Sequence, residues 1–412
     1  MNVVNLIRSI FSLFYNRILL YRYRLSIPSK VKRVRQKSKI KVLFVVSEIS
    51  IWKTEALYCE MLKHARFEPI LGVVLITADK PCEAKRKYEY TVNYLNYKKY
   101  EYIELFGNDI KRDIKPDIIF YQQPYDGFID SHLFFYNNRD SLFCNVYYAF
   151  NTIGQKWIGA SRYLHYCWQI YYENQVSLNY CESTMPRLTR NKARLTGLSF
   201  QDILEMDKKE FKNPWKLQDK EKKRIIWAPH HTIPTASNLL EYSTFLNVAD
   251  MMLEIAEEFK EEIQIAFKPH PFLLKKLYNV WGKDKTDAYY NKWSQLANTQ
   301  FEIGEYYGLF KYSDALIHDC GSFTIEYLYT GNPVMYLSNG KPHTETLNEF
   351  GKAAYDTHVI GCSKNEIVNF ICDVVNGIDN LKNERNQFKI KYLSIPESGN
   401  ASLNIINSIL YK

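Results

Sequence analysis

Asp314-Ala-Leu-Ile-His-Asp-Cys-Gly-Ser-Phe-Thr-Ile-Glu-Tyr-Leu-Tyr-Thr-Gly-Asn-Pro-Val-Met-Tyr-Leu337 reads as strand, tight turn, helix and strand. Ala315 to Ile317 is a short apolar run of the kind a buried strand requires. Gly321 permits a sharp turn, and Ser322 stands where a helix N-cap would place its hydroxyl on free backbone N–H groups. The helical pattern continues to about Tyr329. Gly331 fits a terminator, Pro333 forbids continuation, and Val334 to Leu337 is the next strand. A helix start at the carboxyl end of a parallel strand attracts anions, so phosphate binding is the first functional expectation.

Outward from this stretch the same pattern repeats. Arg224 to Trp227 is a strand that ends in Ala228-Pro-His-His-Thr232. Phe245 to Phe259 carries apolar residues at helical spacing. Ile263 to Phe267 is a strand that ends in Lys268-Pro-His-Pro271. Three strands therefore end in polar clusters: His230, His231 and Thr232; Lys268 with His270; and His318 and Asp319 before Gly321 and Ser322. In a parallel sheet these ends lie along one edge. Proline on both sides of His270 confines its backbone to extended conformations. Lysine charge, hydroxyls and imidazole donors together suit a diphosphate. A metal site from His230, His231, His270 and Asp319 is disfavoured, because adjacent histidines are expected to point apart. No Gly-x-Ser-x-Gly elbow signals a hydrolytic serine.

The first half alternates in the same way. Lys41–Val46, Ile70–Ile76, Ile118–Tyr121 and Asn145–Tyr148 read as strands, with helices over 52–65 and 81–97 between them. No Gly-x-Gly-x-x-Gly follows the first strand, so a dinucleotide site is not signalled there. The loops Gln122–Gly127 and Asn151–Lys156 fall at strand ends, where ligands of open α/β sheets gather. The fold class is α/β, with two Rossmann-like domains. The expected divisions are 1–40, 41–207, a charged linker at 208–223, 224–385 and a helical tail at 386–412.

Charge separates the amino terminus from the rest. The first 47 residues hold eleven Lys or Arg and no Asp or Glu. The remaining 43 basic and 45 acidic residues nearly cancel, so the net +9 is local to that segment and nucleic-acid binding loses its main support. Residues 1–21 are rich in Leu, Ile, Val and Phe but interrupted by Arg8 and Arg17, too soon for a spanning helix. The reading is an amphipathic helix with a basic linker, residues 1–41 together lying on an anionic cytoplasmic membrane surface. The eight Cys lack metal-type spacing and read as reduced thiols.

Trp227-Ala-Pro-His-His-Thr232, Lys268-Pro-His-Pro271, Ser313–Ser322 and Pro333-Val-Met-Tyr336 resemble motifs of the CDP-glycerol glycerophosphotransferase family, the teichoic-acid primases and polymerases. The likeness spans about residues 195–340. It implies a GT-B arrangement, two Rossmann-like domains facing a cleft with the nucleotide donor on the second, and no cofactor. It also implies peripheral membrane association and a lipid-linked or polymer acceptor. Carried over by position, His270, His230 and Asp319 are the catalytic candidates. Lys268, His231, Thr232, Gly321, Ser322, Phe323 and Thr324 are the donor-diphosphate candidates, with Glu326, His318 and Asn151 as further ones. The family's His-Gly-Thr acceptor loop is here Asn151-Thr-Ile-Gly154, without a histidine, and Gly321 replaces a common Ser. The implied reaction is glycerol phosphate transfer from CDP-glycerol to a hydroxyl, releasing CMP. Alternatives are transfer from a nucleotide-sugar in capsule or lipopolysaccharide synthesis, and a non-catalytic scaffold of polymer export. A UDP-sugar epimerase is disfavoured, since a soluble epimerase has no use for the basic amino terminus.

Overall fold

The computed structural model describes residues 3–123, 125, 127–154, 161–234, 242–340 and 343–412, with side chains from Tyr15 onward except those of 343 and 344. Residues 155 and 156 of one expected loop, and 124 and 126 of the other, lie outside them. The chain forms two α/β units. Among the described residues no helix is long and apolar enough to cross a membrane.

The first unit comprises residues 1–149, 155–202 and 395–412. Its sheet is built from β1 (Ile40–Val46), β2 (Phe67–Val73), β3 (Tyr102–Glu104), β4 (Ile118–Tyr121), β5 (Leu142–Val146), β6 (Gln169–Tyr172) and β7 (Ala193–Leu195), in the order β3-β2-β1-β4-β5-β6-β7. Each pairing between neighbouring strands is parallel. Parallel strands are covered on both faces, which is why β1, β4 and β5 read as near-continuous apolar runs. Sequence periodicity missed β3 and β6 and placed β2 and β5 about three residues late. β6 lies in an aromatic run whose Tyr163, Tyr171 and Tyr172 are all fully buried.

Helix α1 runs unbroken from Val3 to Gln36 with Pro28 inside it, so the segment read as a linker is helical. Tyr23 and Val34 are buried against the first unit, while Tyr15, Tyr21 and Leu25 on the same helix are exposed. Helix α2 (Glu55–Lys63) follows β1, and α3 (Pro81–Tyr97) begins with proline at its first position.

The second unit comprises 150–154 and 203–394. Its sheet contains β8 (Lys223–Ala228), β9 (Ile263–Phe267), β10 (Thr299–Phe301), β11 (Ala315–His318), β12 (Val334–Leu337) and β13 (Val359–Gly361), in the order β10-β9-β8-β11-β12-β13. Its core is an aromatic stack: Trp227 lies 5.7 Å from Phe245, 5.0 Å from Phe267 and 5.3 Å from Trp293 by ring centroid. The stretch 208–223, expected to be a linker, is packed on this unit. Trp215 is buried with its indole N–H on Leu309 O, and Lys216 N donates to Gln300 Oε1.

The carboxyl-terminal tail returns to the first unit. The helix Ala401–Tyr411 begins on the half-buried Asp202 carboxylate, which accepts from Ala401 N, Ser402 N and the Ser402 hydroxyl. Further along, Ser408 bonds the buried Gln169.

Candidate functional site

The opening stretch folds as strand, turn and helix, with changed details. Ser322 is already in helical conformation and makes no side-chain cap. The helix is one α-turn, Phe323–Glu326, that tightens into 3-10 geometry over Tyr327–Thr330 and ends at Gly331 with φ 74°. So short a helix offers little dipole to an anion. Gly321 does not adopt a positive φ, and a Cβ there would meet no atom within 4 Å. Its turn does not require glycine.

Register explains how the strand ends converge. Ala228 pairs with His318, and Trp227 with both Ile317 and Phe267. The segments leaving β8, β9 and β11 therefore start level. β8 has β9 on one side and β11 on the other, so chain connections diverge there and leave the crevice in which open α/β sheets take ligands.

Three imidazoles meet in that crevice. Ring centroids of His231 and His270 are 4.2 Å apart, those of His230 and His231 4.3 Å, and those of His230 and His270 5.1 Å. The expectation that His230 and His231 would point apart does not hold: the turn after Pro229 brings both rings to one side. His270 does have the extended backbone expected of it, φ −56° and ψ 137°, and caps the helix Pro271–Val280 by accepting Phe272 N–H at Nδ1, 3.1 Å.

The hydrogen bonds define the tautomers. Nδ1 of His270 accepts a backbone N–H, so its proton is on Nε2. Thr232 Oγ1 accepts from Tyr242 N at 2.9 Å and lies 2.9 Å from His230 Nδ1. Nδ1 of His230 also accepts Thr232 N–H at 3.4 Å, which leaves its proton on Nε2 and the Thr232 hydroxyl as the donor between the two side chains. Two of the three rings accordingly present an Nε2–H donor. A ring that binds metal through one nitrogen commonly donates the N–H of the other to an acceptor. His230 and His270 turn Nδ1 toward donors instead, although nitrogens of the three rings approach within 4.8 Å of one another; with the proton on Nε2, these two rings can donate to an anion.

Burial keeps these rings neutral. It holds His230 down to about 3, helped by His231 and Lys276. His231 is held to about 4 by burial and Lys276. His270 is held to about 2 by burial, then by His230, His231, Lys276 and Lys268. Neutral N–H donors on an electropositive floor favour an incoming anion, whose charge would raise all three values.

Asp319 lies beneath the cluster. It is fully buried and accepts His230 N on one oxygen, and Thr244 N and Oγ1 at 2.6 and 3.0 Å on the other. Burial lifts it to about 6 against these donors. It ties the loop after β8 to the start of the helix Phe245–Glu258 and reaches no surface.

Several expected site residues are used elsewhere. Lys268 donates to Gly304 O at 2.9 Å and is 7% exposed. Glu326 is buried with its carboxylate on the Tyr306 hydroxyl, and Thr324 bonds Cys320 O. Phe323 packs on Tyr306 and Phe310. His318 is fully buried against Tyr336 and His358. Gly321 and Ser322 are exposed at the end of β11. Asn151 is held through its carbonyl by Asn348, whose own N–H bonds Thr152 O. Gly351 leaves room for this segment, since a Cβ there would lie 2.5 Å from Thr152 O.

The sequence reading missed Phe272, Lys276 and Tyr242. Phe272 stands edge-on to His231 and is 38% exposed, and Tyr242 stands edge-on to His230. The i, i+4 spacing of Phe272 and Lys276 behind Pro271 was the available signal for that pair. Nothing local marks Tyr242.

No family model matches this chain, and no curated protein does. Solved structures do resemble it. UDP-GlcNAc 2-epimerase from Neisseria meningitidis bound to UDP-GlcNAc is 16% identical, with TM-score 0.55, over 91% of this chain and 100% of the other. The S. aureus MnaA–UDP structure is 14% identical, with TM-score 0.56, over 90% and 96%. A variant of the wall teichoic acid polymerase TagF is 13% identical, with TM-score 0.55, over 98% and 97%. At such identities the likeness is one of fold: this chain shares the two-domain α/β architecture of these enzymes.

Proposed function

We propose that this protein is a transferase of bacterial surface-polymer synthesis that holds a nucleotide diphosphate donor on its second unit. The observation that carries the reading is the gathering of the His230, His231 and His270 rings at the ends of β8 and β9, with ring centroids 4.2 to 5.1 Å apart and Nδ1 of His230 and His270 each accepting a backbone N–H. The TagF and UDP-GlcNAc 2-epimerase structures of like fold are named for cell-wall-polymer and nucleotide-sugar chemistry, which supports a nucleotide-linked donor.

In the favoured form the donor is CDP-glycerol. The acceptor hydroxyl attacks the β-phosphorus, the bond from that phosphorus to the bridging oxygen breaks, CMP leaves, and the hydroxyl proton passes to solvent or a base. The Nε2–H groups of His270 and His230 stabilise charge building on the phosphate oxygens, with Lys276 adding field. Ser322 and the amides after Gly321 supply further donors. His231 and the exposed face of Phe272 border the space a donor would enter. Asp319 and Thr232 act through His230 by fixing its backbone and its tautomer.

A nucleotide-sugar reading keeps the same residues, and the epimerase-like structures favour testing it. Full-length protein incubated with CDP-glycerol, UDP-sugars and an acceptor-bearing membrane fraction distinguishes the cases. CMP release from CDP-glycerol is expected. UDP release would indicate glycosyl transfer, and a C2 epimer formed without nucleotide release would indicate epimerisation. Absence of both binding and turnover of CDP-glycerol would overturn the favoured form.

The amino-terminal helix is proposed to rest on an anionic membrane through residues 1–41. Its support is the run of eleven basic residues and the exposed Tyr15, Tyr21 and Leu25. Sedimentation with phosphatidylglycerol vesicles, and none with phosphatidylcholine vesicles, is the expected result.

A further inference from the structure

Beyond its first 47 residues the sequence is close to neutral in charge. Folding nevertheless gathers further basic residues beside α1. The short helix α4 (Arg162–Tyr166) ends against α1: Arg24 Nε donates to His165 O at 3.3 Å, and Arg24 Nη2 lies 3.3 Å from His165 Nδ1. The segment leading into β7 reaches the same carbonyl, with Lys192 Nζ 2.8 Å from His165 O and 3.3 Å from Leu164 O. Further along α1, Lys30 donates to Arg139 O. Tyr23 of α1, Tyr166 of α4 and Leu188 share one buried cluster, so the three segments are neighbours in the same layer.

These contacts hold the cations without cancelling their charge. Arg24 and Lys192 donate to carbonyl oxygens, and the ring between them is kept neutral: His165 is lowered by burial, then by Arg24 and Lys192. Burial holds Lys192 to about 8, with Arg24 adding to the effect. Arg162, Arg187 and Arg190 are exposed. Residues 185–194 hold four basic residues and no acid. Asp140 and Glu182 are exposed acids of the adjoining segments, and they do not offset this set.

We propose that the first unit docks on an anionic phospholipid bilayer through a composite face, in which Arg162, Arg187 and Arg190, with Arg24 and Lys192 behind them, meet the headgroup phosphates beside α1. This rests on the reading that α1 lies on a membrane, and it names the part of the unit that lies there with it. A helix with its side chains is about 10–12 Å across. Elements packed alongside it are therefore within roughly one Debye length of the surface it rests on, and long arginine side chains shorten the gap. Burying the apolar stripe of one helix leaves the unit free to roll about that helix. A second line of charge beside it fixes how the unit is turned.

Hydrogen exchange of the unaltered full-length protein, read by mass spectrometry with phosphatidylglycerol vesicles, tests the proposal. Amides of residues 161–167 and 185–192 are expected to slow together with those of α1, and none of them with phosphatidylcholine vesicles. Slowing confined to α1 overturns the composite face and leaves the helix reading standing. No slowing in either place removes the helix reading and this proposal with it. Stronger slowing by soluble polyphosphate than by vesicles of equal phosphate content would assign the face to a free polyanion and overturn the membrane assignment. Arg162→Gln, Arg187→Gln and Arg190→Gln combined alter only exposed side chains. They are expected to weaken vesicle sedimentation by about 10- to 100-fold, a few-fold for each charge near an anionic surface, and by less as salt is raised. Sedimentation equal to that of the parent at low salt rejects the proposal.

Discussion

The buried carboxylate of Asp319, at the end of one strand, accepts the backbone N–H of His230, at the end of the neighbouring strand. With its other oxygen on Thr244, it positions the histidine loop from below. Asp319→Asn keeps the shape but can accept on one side only, and it turns an amide N–H₂ toward an N–H donor. A loss of about 2–3 kcal/mol in unfolding free energy is expected, read by urea denaturation. A change below about 0.5 kcal/mol, the ordinary scale of surface substitutions, would show that the bonds do not hold the loop.

His270 has two separable roles. Its Nδ1 caps a helix, and its ring packs on those of His230 and His231 with the proton left on Nε2. His270→Asn can still accept Phe272 N–H and should leave stability nearly unchanged, while weakening nucleotide diphosphate binding about 10- to 100-fold. His270→Ala should weaken binding similarly and also cost about 1 kcal/mol for the lost cap. Equal nucleotide affinity in the Asn variant and the parent would remove His270 from the binding site.

The second unit should lose stability in mild acid. His230, His231 and His270 are held near 3, 4 and 2 when folded and titrate near 6.5 when unfolded. Below that pH the unfolded chain binds more protons, so folding weakens as pH falls from about 6.5 toward 4, by about 1.4 kcal/mol per pH unit for each proton of difference. Asp319 acts in the opposite sense: its folded value is raised to about 6, so its contribution is present in acid and lost as pH rises from about 4 to 6. With three imidazoles against one carboxyl, melting temperature should decline from pH 7 to pH 5, and less steeply in His270→Asn. A flat profile would mean that the rings take up protons in the folded state.

Binding of a diphosphate should draw protons onto the same cluster. Calorimetry in two buffers of different ionisation enthalpy is expected to show net proton uptake near pH 6. Zn²⁺ titrated in place of the nucleotide should give no tight stoichiometric binding, because Nδ1 of His230 and His270 faces N–H or O–H donors. Stoichiometric Zn²⁺ binding that competes with the nucleotide would reverse the tautomer assignment.

Asp202 anchors the returning tail. Asp202→Ala removes three bonds to Ala401 and Ser402, and it should destabilise the first unit by about 2–3 kcal/mol. It should also expose the chain near Ile395 to limited proteolysis. Unchanged protease resistance would show that packing alone retains the tail.

The amino-acid order by itself determined the strands whose apolar runs are bounded by proline, glycine or charge. β1, β4, β9, β11 and β12 were placed to within a residue or two, and α3 was placed at its observed ends, Pro81 and Tyr97. Proline before and after His270 determined that residue's extended backbone, and Gly331 its helix stop. These are short-range effects of backbone sterics and missing donors, and they act the same way in any fold. The short edge strand β3 and the aromatic β6 carry no such signal.

Only the tertiary structure decided which polar residues share a space. Lys268 and His270 stand two apart on one strand end, yet one turns inward to Gly304 and the other into the crevice. His318 and Asp319 are adjacent, yet one is sealed against His358 and the other ties His230. His230 and His231 share a side because Asp319, and Tyr242 through Thr232, hold their loop from other parts of the chain. Strand order, burial and long-range hydrogen bonds made those choices, and each joins residues far apart in sequence through packing that no local pattern encodes.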